Sequence, residues 1–358
     1  MAPVGRMTDP APGGPAVTID AMVYGLTSFG GLITMWDALL PRLEARGAIA
    51  EVLVPPVLKK PLPVAPHPDP PPPSRPRVFH STYLSLPPPT TVFAGTVATV
   101  HDLIYEDHPD LAAMDPVPHA TALKRRCITS ATAIVCPSRA TANALIDRHA
   151  PDAPVFVVPH GLDPAFRPAG TDGAGPATGL PPGPFIAHVG GRDHYKRFGP
   201  LLDVLLRSRA LRELRIVVVG SATAPPAAEA EVLDQHGARQ RVSFIGYVSR
   251  QDLIAIYRAA SLVVCPSAVE GFGLPLIESL ACGTPVVCSD IPAHRENGDT
   301  DVEYFDLDDE ASFEPAALRG LDHTSEHRMA ASRRVIERFT WERATHAMVH
   351  AYRSATDR

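Results

Sequence analysis

The sequence contains no apolar run close to the ~20 residues needed to cross a bilayer, and residues 1–15 have no apolar signal core. Positive charge is also scarce. The formal net charge is −6, whereas a protein that neutralises phosphates along a nucleic acid needs a basic surface. There is no strongly basic amphipathic helix either. These absences predict a cytoplasmic protein that binds no nucleic acid and attaches to membranes at most peripherally.

Cysteine is scarce as well, and the five residues form an odd count with no C-x-x-C spacing. Most of them lie in apolar stretches, where cysteine packs as a small hydrophobic residue. We therefore expect reduced, buried thiols rather than disulfides. This expectation applies to Cys127, Cys136, Cys265, Cys282 and Cys288.

Two series of short β-branched runs alternate with segments of helical period, which is typical of parallel sheets built from β–α–β units. The first series predicts strands at 17–24, 51–54, 77–80, 96–101, 133–136 and 155–158. The second predicts strands at 185–189, 215–219, 242–245, 262–265, 286–289 and 303–305. Because 358 residues exceed one ordinary domain, we predict an α/β protein with two doubly wound domains.

Composition sets the expected domain boundaries. Residues 168–184 are rich in Gly, Pro, Ala and Thr, which predicts a mobile linker between a first domain, 1–167, and a second, 185–340. Within the first domain, the proline-dense residues 55–76 are predicted to form a loose, extended surface loop. The last predicted helix follows the second sheet, so residues 341–358 are a separate segment that can cross back to the first domain.

The stretch 262–291 carries most of the chemical information. A predicted strand leads into a loop with Gly271 and Gly273, which allow a ligand to approach the backbone closely. Pro275 suits the first turn of a helix, and Gly283 suits its end. A helix N-terminus has free N–H groups and a partial charge of about +0.5, so it forms an anion site that matches a diphosphate.

Two glutamates flank this helix start. Glu270 precedes the helix and Glu278 lies about one turn inside it, so both can border one ligand without touching each other. Carboxylates accept charge-assisted hydrogen bonds from paired hydroxyls, as on a sugar or a ribose. Together with the anion site they describe a nucleotide sugar. Taken singly, Glu270 has a plainer interpretation as a solvated charge, and Glu278 as a complement to the helix dipole.

The segment EGFGLPLIESLACGTPVVCSD, residues 270–290, resembles the E-x7-E segment of the retaining glycosyltransferases of family 4. This resemblance implies the GT-B fold, in which two Rossmann-like domains face a central cleft. It also implies that Glu270 faces the donor sugar and that Glu278 binds the nucleotide ribose. Backbone amides would meet sugar hydroxyls and phosphate at Phe272, Gly273 and Leu274.

A second match follows the strand predicted at 185–189, where a glycine turn precedes basic residues. In the common family pattern, an arginine follows the first glycine and a lysine comes about five residues later. Lys196 keeps this distance from Gly190, so it is expected to neutralise the leaving diphosphate. A second glycine takes the arginine's place, which leaves open whether Arg192, displaced by one position, or Arg197 assists the phosphates. We keep Gly190 and Arg192 as donor-binding candidates.

In the first half, residues 96–109 end a predicted strand in a His-Asp pair, at the edge where open α/β sheets bind ligands. They resemble the family's HD segment, which implies that His101 approaches the donor sugar across the cleft. A histidine at a strand end is otherwise more often structural. Phe29, Gly30 and Gly31 precede a predicted helix and resemble the family's N-terminal glycine loop near the donor phosphates.

Other polar patterns receive structural interpretations. The acidic cluster of Asp306, Asp308 and Asp309 is interpreted as a solvated loop rather than a metal site. The basic run at 124–126 is interpreted as a solvated helix face. Residues 158–168 resemble the end of the family's first domain and are interpreted as architecture.

The predicted function is a retaining transfer of a hexose-type sugar from a nucleotide sugar to a hydroxyl of a polysaccharide, lipid carrier or natural product. His101, Lys196 and Glu270 are the catalytic candidates, and no metal or cofactor is expected. The protein would act by stabilising the leaving group and orienting the acceptor, which attacks from the same face. A nucleotide-sugar hydrolase or epimerase, and a non-catalytic partner subunit, stay open as alternatives. A nicotinamide dehydrogenase is disfavoured because no G-x-G-x-x-G follows a strand.

Overall fold

The computed structural model describes residues 14–28, 30–65, 75–109, 119–170, 180–192, 194–220 and 222–357. Within them the chain forms two parallel six-stranded sheets. The first contains β1 (Ala16–Asp20), β2 (Ile49–Leu53), β3 (Arg77–Ser81), β4 (Gly95–Thr99), β5 (Ala133–Cys136) and β6 (Val155–Val157). The second contains β7 (Phe185–Val189), β8 (Arg215–Val219), β9 (Val242–Gly246), β10 (Leu262–Cys265), β11 (Val286–Ser289) and β12 (Glu303–Phe305).

Helices connect the strands. Around the first sheet lie α1 (Val23–Leu26), α2 (Gly31–Ala45), α3 (Ile104–Asp107), α4 (Ala120–Ser130) and α5 (Arg139–His149). The second sheet is accompanied by α6 (Phe198–Arg207), α7 (Ala227–Gln235), α8 (Arg250–Ala259), α9 (Leu274–Ala281), α10 (Pro292–Gly298), α11 (Phe313–Leu321) and α12 (Ser325–Arg338). The chain then continues into α13 (Trp341–Ser354).

The strand orders are β2-β1-β3-β4-β5-β6 and β12-β11-β10-β7-β8-β9, so each sheet has a point where the chain reverses its direction of progress. Central strands such as β10 and β11 are buried along their whole length, which explains why they are continuous apolar runs. The predicted α/β class with two doubly wound units is therefore confirmed.

The last helix packs against the first sheet. Trp341, Met348 and Tyr352 of α13 are buried in one apolar cluster with residues of α2 and β1. The Tyr352 hydroxyl also lies 2.7 Å from Nδ1 of His80 on β3. The chain thus leaves the first unit, builds the second, and returns to complete the core of the first.

Two strands end earlier than the sequence pattern predicts. The strand predicted at 17–24 stops at Asp20, whose carboxylate accepts the N–H of Met22 and starts a turn. The strand predicted at 96–101 stops at Thr99, and the carboxylate of Asp102 then accepts the N–H of Ile104 at the start of α3. Local side-chain bonds to the backbone compete here with the ladder.

The proline-dense stretch is less loose than predicted where the structure describes it, in residues 55–65 and 75–76. The Lys59 N–H donates to the Tyr24 carbonyl, and the Lys60 ammonium pairs with Asp37. Val64 is buried in the core of the first unit. The remainder of that stretch, and most of the linker predicted at 168–184, lie outside the described residues.

All five cysteines are buried and unpaired, as predicted. Among the described residues, no helix combines the length and the apolar character that a membrane span requires.

Candidate active site

The topology of the second sheet brings two loops together. The strand order reverses between β7 and β10, so the segments that follow these strands leave the same edge at a switch point. β7 leads into the short 3-10 helix His194–Lys196, and β10 leads into the loop that contains Glu270. The Ala268 N–H donates to the Tyr195 carbonyl at 2.7 Å, which fixes one loop against the other.

Lys196 and Glu270 form an ion pair in this position, with Nζ 2.6 Å from Oε1. Ser267 donates its hydroxyl to the same carboxylate oxygen at 2.7 Å. Burial alone would lower the pKa of Lys196 and raise that of Glu270, but their mutual attraction outweighs it, so the Lys196 pKa is raised and the Glu270 pKa is lowered. Both groups are therefore charged at neutral pH.

Glu278 lies on α9 in a different environment. Its carboxylate accepts a hydrogen bond from the Tyr257 hydroxyl at 3.0 Å and has no adjacent ion-pair partner among the described residues. Burial raises the pKa of Glu278 to about 7, against the opposing effects of the Tyr257 bond and of Arg250. The two glutamates of one motif therefore differ in charge near neutral pH.

The start of α9 has the predicted form. Gly273 precedes the helix with φ +87°, Pro275 lies in the first turn, and Gly283 follows the helix with φ +79°. In the first turn of α9, the Leu276 N–H donates to the Gly273 carbonyl, and Pro275 has no N–H. Of the first three residues of the helix, this leaves the Leu274 N–H to bind a ligand. The dipole of α9 also favours an anion at this end of the helix.

Phe272 anchors this loop. Its ring is buried, with centroids 4.9 Å from His160 and 5.5 Å from Phe339. Its carbonyl accepts the side-chain amide of Asn297 at 2.6 Å. Through these contacts, the Phe272 side chain and carbonyl hold the loop in place.

The glycine loop of the first unit faces the same helix start. Gly30 precedes α2 with φ +98°, a conformation that glycine adopts without strain. A Cβ on Gly31 would lie 3.2 Å from the Leu274 side chain, so the two predicted donor loops approach each other across the cleft. Phe29 lies outside the described residues.

His101 lies two residues after β4 and is buried at the edge of the first sheet. Its Nε2 is 3.0 Å from the Thr82 carbonyl, which fixes this nitrogen as the hydrogen-bond donor. Burial lowers the pKa of His101, and the bond to Thr82 and the charge of Asp102 offset part of this effect. The imidazole is therefore neutral at physiological pH, with Nδ1 as its acceptor.

Arg192 has a structural partner. Its guanidinium lies 3.3 Å from Glu229, donates to the Ala224 carbonyl at 3.0 Å and covers the ring of Phe244. Arg197 adopts a left-handed conformation with φ +54° just before α6. Neither side chain contacts the Lys196–Glu270 pair within the described part of the chain, so an arginine ligand for the donor remains a prediction.

The remaining polar patterns have local explanations. Asp306 accepts the N–H of Asp308, and Asp309 accepts the N–H of Ala311 at the start of a short 3-10 helix. In the part of the chain that the structure describes, no cluster of three or more His, Cys, Asp or Glu side chains could hold a metal. The interpretation of residues 124–126 as solvated was wrong for Lys124, which is buried, donates to the Asp102 carbonyl and lies 3.7 Å from Glu106.

Three further residues of the site were not predicted. Ser267 and Tyr257 hydrogen bond to the two glutamates, and His294 lies beside Gly273, where a Cβ would be 3.3 Å from its ring. Ser267 precedes Glu270 by three positions, a spacing that could have indicated it. Tyr257 and His294 come from α8 and α10, and only the fold brings them to the loop.

A cleft of about 190 Å³ separates the two units next to Glu270. Its first-unit wall comes from the segment after β4 and from α5, and its second-unit wall from the Glu270 loop and the start of α10. The walls are mostly apolar and include Leu103, Ala144, Val269, Ile291 and Ala293. The site therefore opens onto a space that both units border.

Comparison with known proteins gives two family matches. The family model described as glycosyl transferases group 1 matches residues 178–298, which include Lys196, Glu270 and Glu278. The model described as glycosyltransferase family 4 matches residues 84–166, which include His101. A D-inositol 3-phosphate glycosyltransferase of Mycobacterium marinum is 34% identical over 282 residues, which cover 72% of this chain. The chain spans only 58% of that relative's length.

Solved structures with the same fold are more distant in sequence. The sucrose-phosphate synthase of Thermosynechococcus elongatus superposes with a TM-score of 0.68 at 17% identity, covering 95% of this chain and 98% of that one. The Anabaena protein Alr3699/HepE, solved with UDP and glucose, gives 0.64 at 15% identity, covering 94% and 98%. At these identities the likeness shows the fold, which is the two-unit α/β arrangement predicted from the sequence.

Proposed function

Because the chain belongs to the group 1 glycosyltransferases of family 4, we propose that it transfers a hexose-type sugar from a nucleoside diphosphate sugar to an acceptor hydroxyl, with retention at the anomeric carbon. One observation carries the proposal: the Lys196–Glu270 ion pair lies at the switch point of the second sheet, directly before the helix that bears Glu278. A cation, a helix N-terminus and two carboxylates match the diphosphate and the hydroxyls of such a donor.

In the proposed complex, Lys196 exchanges its bond to Glu270 for a bond to the diphosphate. Glu270 is then free to accept hydrogen bonds from the donor sugar, and Glu278 accepts them from the ribose. The start of α9 faces the phosphates with the Leu274 amide and its dipole. This exchange gives the ion pair a role beyond stability, since it holds both side chains ordered before the donor arrives.

In the proposed reaction, the bond between the anomeric carbon and the diphosphate oxygen breaks as the acceptor oxygen forms its bond on the same face. The acceptor proton passes to the departing phosphate oxygen, and Lys196 stabilises the charge that develops there. Neutral His101 orients the sugar through its uncharged imidazole. We propose that no metal or cofactor is required, so an excess of EDTA should leave turnover unchanged.

The acceptor class is open within this proposal. The mycobacterial relative is named for D-inositol 3-phosphate, so inositol phosphates are the first acceptors to test. Polysaccharides, lipid carriers and natural products follow. Action in the cytoplasm, with at most peripheral membrane attachment, stays a prediction.

The test is a calorimetric titration with UDP, GDP, dTDP and ADP. We expect one diphosphate to bind with a Kd of about 1 μM, and Glu278→Ala to weaken it at least about tenfold because a charge-assisted ribose contact is lost. Glu231→Ala is the matched control, since Glu231 is exposed on α7.

Failure of all four diphosphates to bind would overturn the donor site and favour a non-catalytic partner subunit. Product analysis with the binding donor then separates the remaining alternatives. A free sugar formed equally with and without acceptor would identify a hydrolase, and an isomeric nucleotide sugar an epimerase.

A further inference from the structure

The two units contact each other directly beside the proposed catalytic glutamate. The carbonyl of Gly271, the residue after Glu270, accepts hydrogen bonds from the hydroxyls of Ser138 at 2.6 Å and Thr141 at 3.1 Å. Both hydroxyls belong to the start of α5 in the first unit. A carbonyl oxygen has two lone pairs, so these two bonds fill it.

Gly271 also packs against His101, which is expected to approach the donor sugar from the first unit. A Cβ at this position would lie 2.0 Å from the His101 carbonyl oxygen and 3.3 Å from Cβ of Asp102. No side chain fits between the two backbones. The Glu270 loop and the His101 segment are therefore in van der Waals contact only because residue 271 is glycine.

A second contact holds α5 from the other side of the cleft. Glu296, on α10 of the second unit, accepts the Arg139 N–H at 3.0 Å on one carboxylate oxygen and the Ala140 N–H at 2.9 Å on the other. Ser138 accepts the N–H of Thr141. The first three amides of α5 are thus bonded to its own cap and to a carboxylate of the opposite unit, where the helix dipole strengthens the bonds.

We propose that Ser138, Thr141, Gly271 and Glu296 form an interdomain latch that holds the two units closed and positions Glu270 against His101. The side chains of Ser138, Thr141 and Glu296 are not placed on the donor, and Gly271 takes part through its carbonyl, so all four are positioning residues. The latch itself follows from the contacts, whereas its effect on turnover rests on the proposed function.

The latch predicts a division of labour between binding and turnover. Most groups proposed to contact the nucleoside diphosphate belong to the second unit, namely Lys196, Glu278 and the start of α9, and the first unit adds only the loop before α2. Sugar transfer depends more strongly on docking, because His101 and the first-unit wall of the cleft must meet Glu270. Loss of the latch should therefore lower kcat by a larger factor than it raises the diphosphate Kd.

The experiment compares Glu296→Gln with the wild type and with Glu231→Gln, an exposed glutamate of α7. The amide keeps the shape of Glu296 but presents an N–H to one of the two α5 amides and removes the charge. We expect kcat to fall about tenfold, since charge-assisted bonds are lost, with the diphosphate Kd within about twofold of wild type. Small-angle scattering should show a larger radius of gyration for the ligand-free Glu296→Gln protein than for the wild type and Glu231→Gln.

A second variant guards against misfolding. Ser138→Ala removes one hydroxyl from the Gly271 carbonyl and should change kcat and the radius of gyration in the same direction, with a smaller change in the diphosphate Kd. If Glu296→Gln and Ser138→Ala kept both the wild-type kcat and the wild-type scattering profile, the latch would be refuted while the proposed function stood. If the wild type neither bound a diphosphate nor turned over, the proposed function would fail, and scattering alone would still test the latch.

Discussion

The two units share one architecture but differ in how burial affects the ionisable side chains singled out in each. In the second unit, Lys196 and Glu270 are ionised at the switch point, and Glu278 titrates near neutral pH. In the first unit, burial lowers the pKa values of His101, His80 and His160, the latter two to about 3, so these rings are neutral. The comparison shows that buried groups of one architecture can be kept charged or neutral, depending on their partners.

Pairing of charges explains the difference. Lys196 and Glu270 compensate each other's burial, so both keep their charge. His80 instead hydrogen bonds to the hydroxyls of Tyr352 and Thr99. These neutral partners do not offset the effect of burial, so the pKa of His80 is lowered. This difference is consistent with the proposal that the second unit binds the charged diphosphate.

The largest expected effect on binding comes from removing the positive charge of Lys196. Lys196→Met takes the cation from the site and leaves Glu270 without its ion-pair partner. We expect the diphosphate Kd to rise about 100-fold, because a charge-assisted bond to the diphosphate is lost. Isothermal calorimetry measures this change.

Arg192→Met is the comparison for that experiment. Its guanidinium is bonded to Glu229 and covers Phe244, so we expect its loss to lower Tm and to change the diphosphate Kd less than Lys196→Met does. A larger loss of affinity for Arg192→Met would show that the arginine turns toward the phosphates when the donor binds.

An effect of similar size, on turnover rather than on binding, tests the neutral His101 of the first unit. His101→Asn should lower kcat about 100-fold, as expected for loss of a positioned hydrogen-bonding group, without changing the diphosphate Kd. Because burial already lowers the pKa of His101, the wild-type kcat should show no inflection from this group near pH 6.5. Steady-state kinetics across pH 5.5–8 would check both points, and an inflection that His101→Asn abolishes would contradict them.

The smallest effect concerns pH and Glu278. Its pKa of about 7 means that the carboxylate forms as pH rises through neutrality, so we expect diphosphate affinity to rise about tenfold from about pH 6 to 8. Glu278→Gln should remove this dependence. Calorimetry at about pH 6, 7 and 8 provides the measurement.

The raised pKa of Glu278 also affects the stability of the fold. A carboxyl whose folded pKa is raised by burial destabilises the fold as pH rises from its unfolded pKa through about 7. Glu278→Gln should therefore be more stable than wild type at pH 8 and equal to it near pH 4.5, in thermal melts. A wild-type Tm above that of Glu278→Gln at pH 8 would mean that the carboxylate is stabilised by a partner.

Much of the fold could be predicted because its strands are buried runs with clear boundaries. The bounds of β5, β7, β8, β10, β11 and β12 coincide with the predicted ranges. β1 and β4 were predicted too long, since Asp20 and Asp102 bond to nearby backbone amides and end the strands early.

The site could be predicted only in part. Glu270, Glu278 and Lys196 were proposed because each belongs to a local motif next to a strand, and the structure places Lys196 and Glu270 in contact. Tyr257, which bonds Glu278, and Ser138, which bonds the Gly271 carbonyl, were not predicted, because they come from elements distant in the chain. The burial of Lys124 was missed for the same reason, since its partner Asp102 lies 22 positions away.

The return of α13 to the first sheet has a consequence for synthesis on the ribosome. In chain topology the second unit is an insertion within the first, whose core stays open until Trp341, Met348 and Tyr352 have emerged. The strands and helices of the second unit are complete by Arg338, so it can fold while the first still lacks its last helix. The order of translation and the order of completion are therefore reversed: the unit that is made first is finished last.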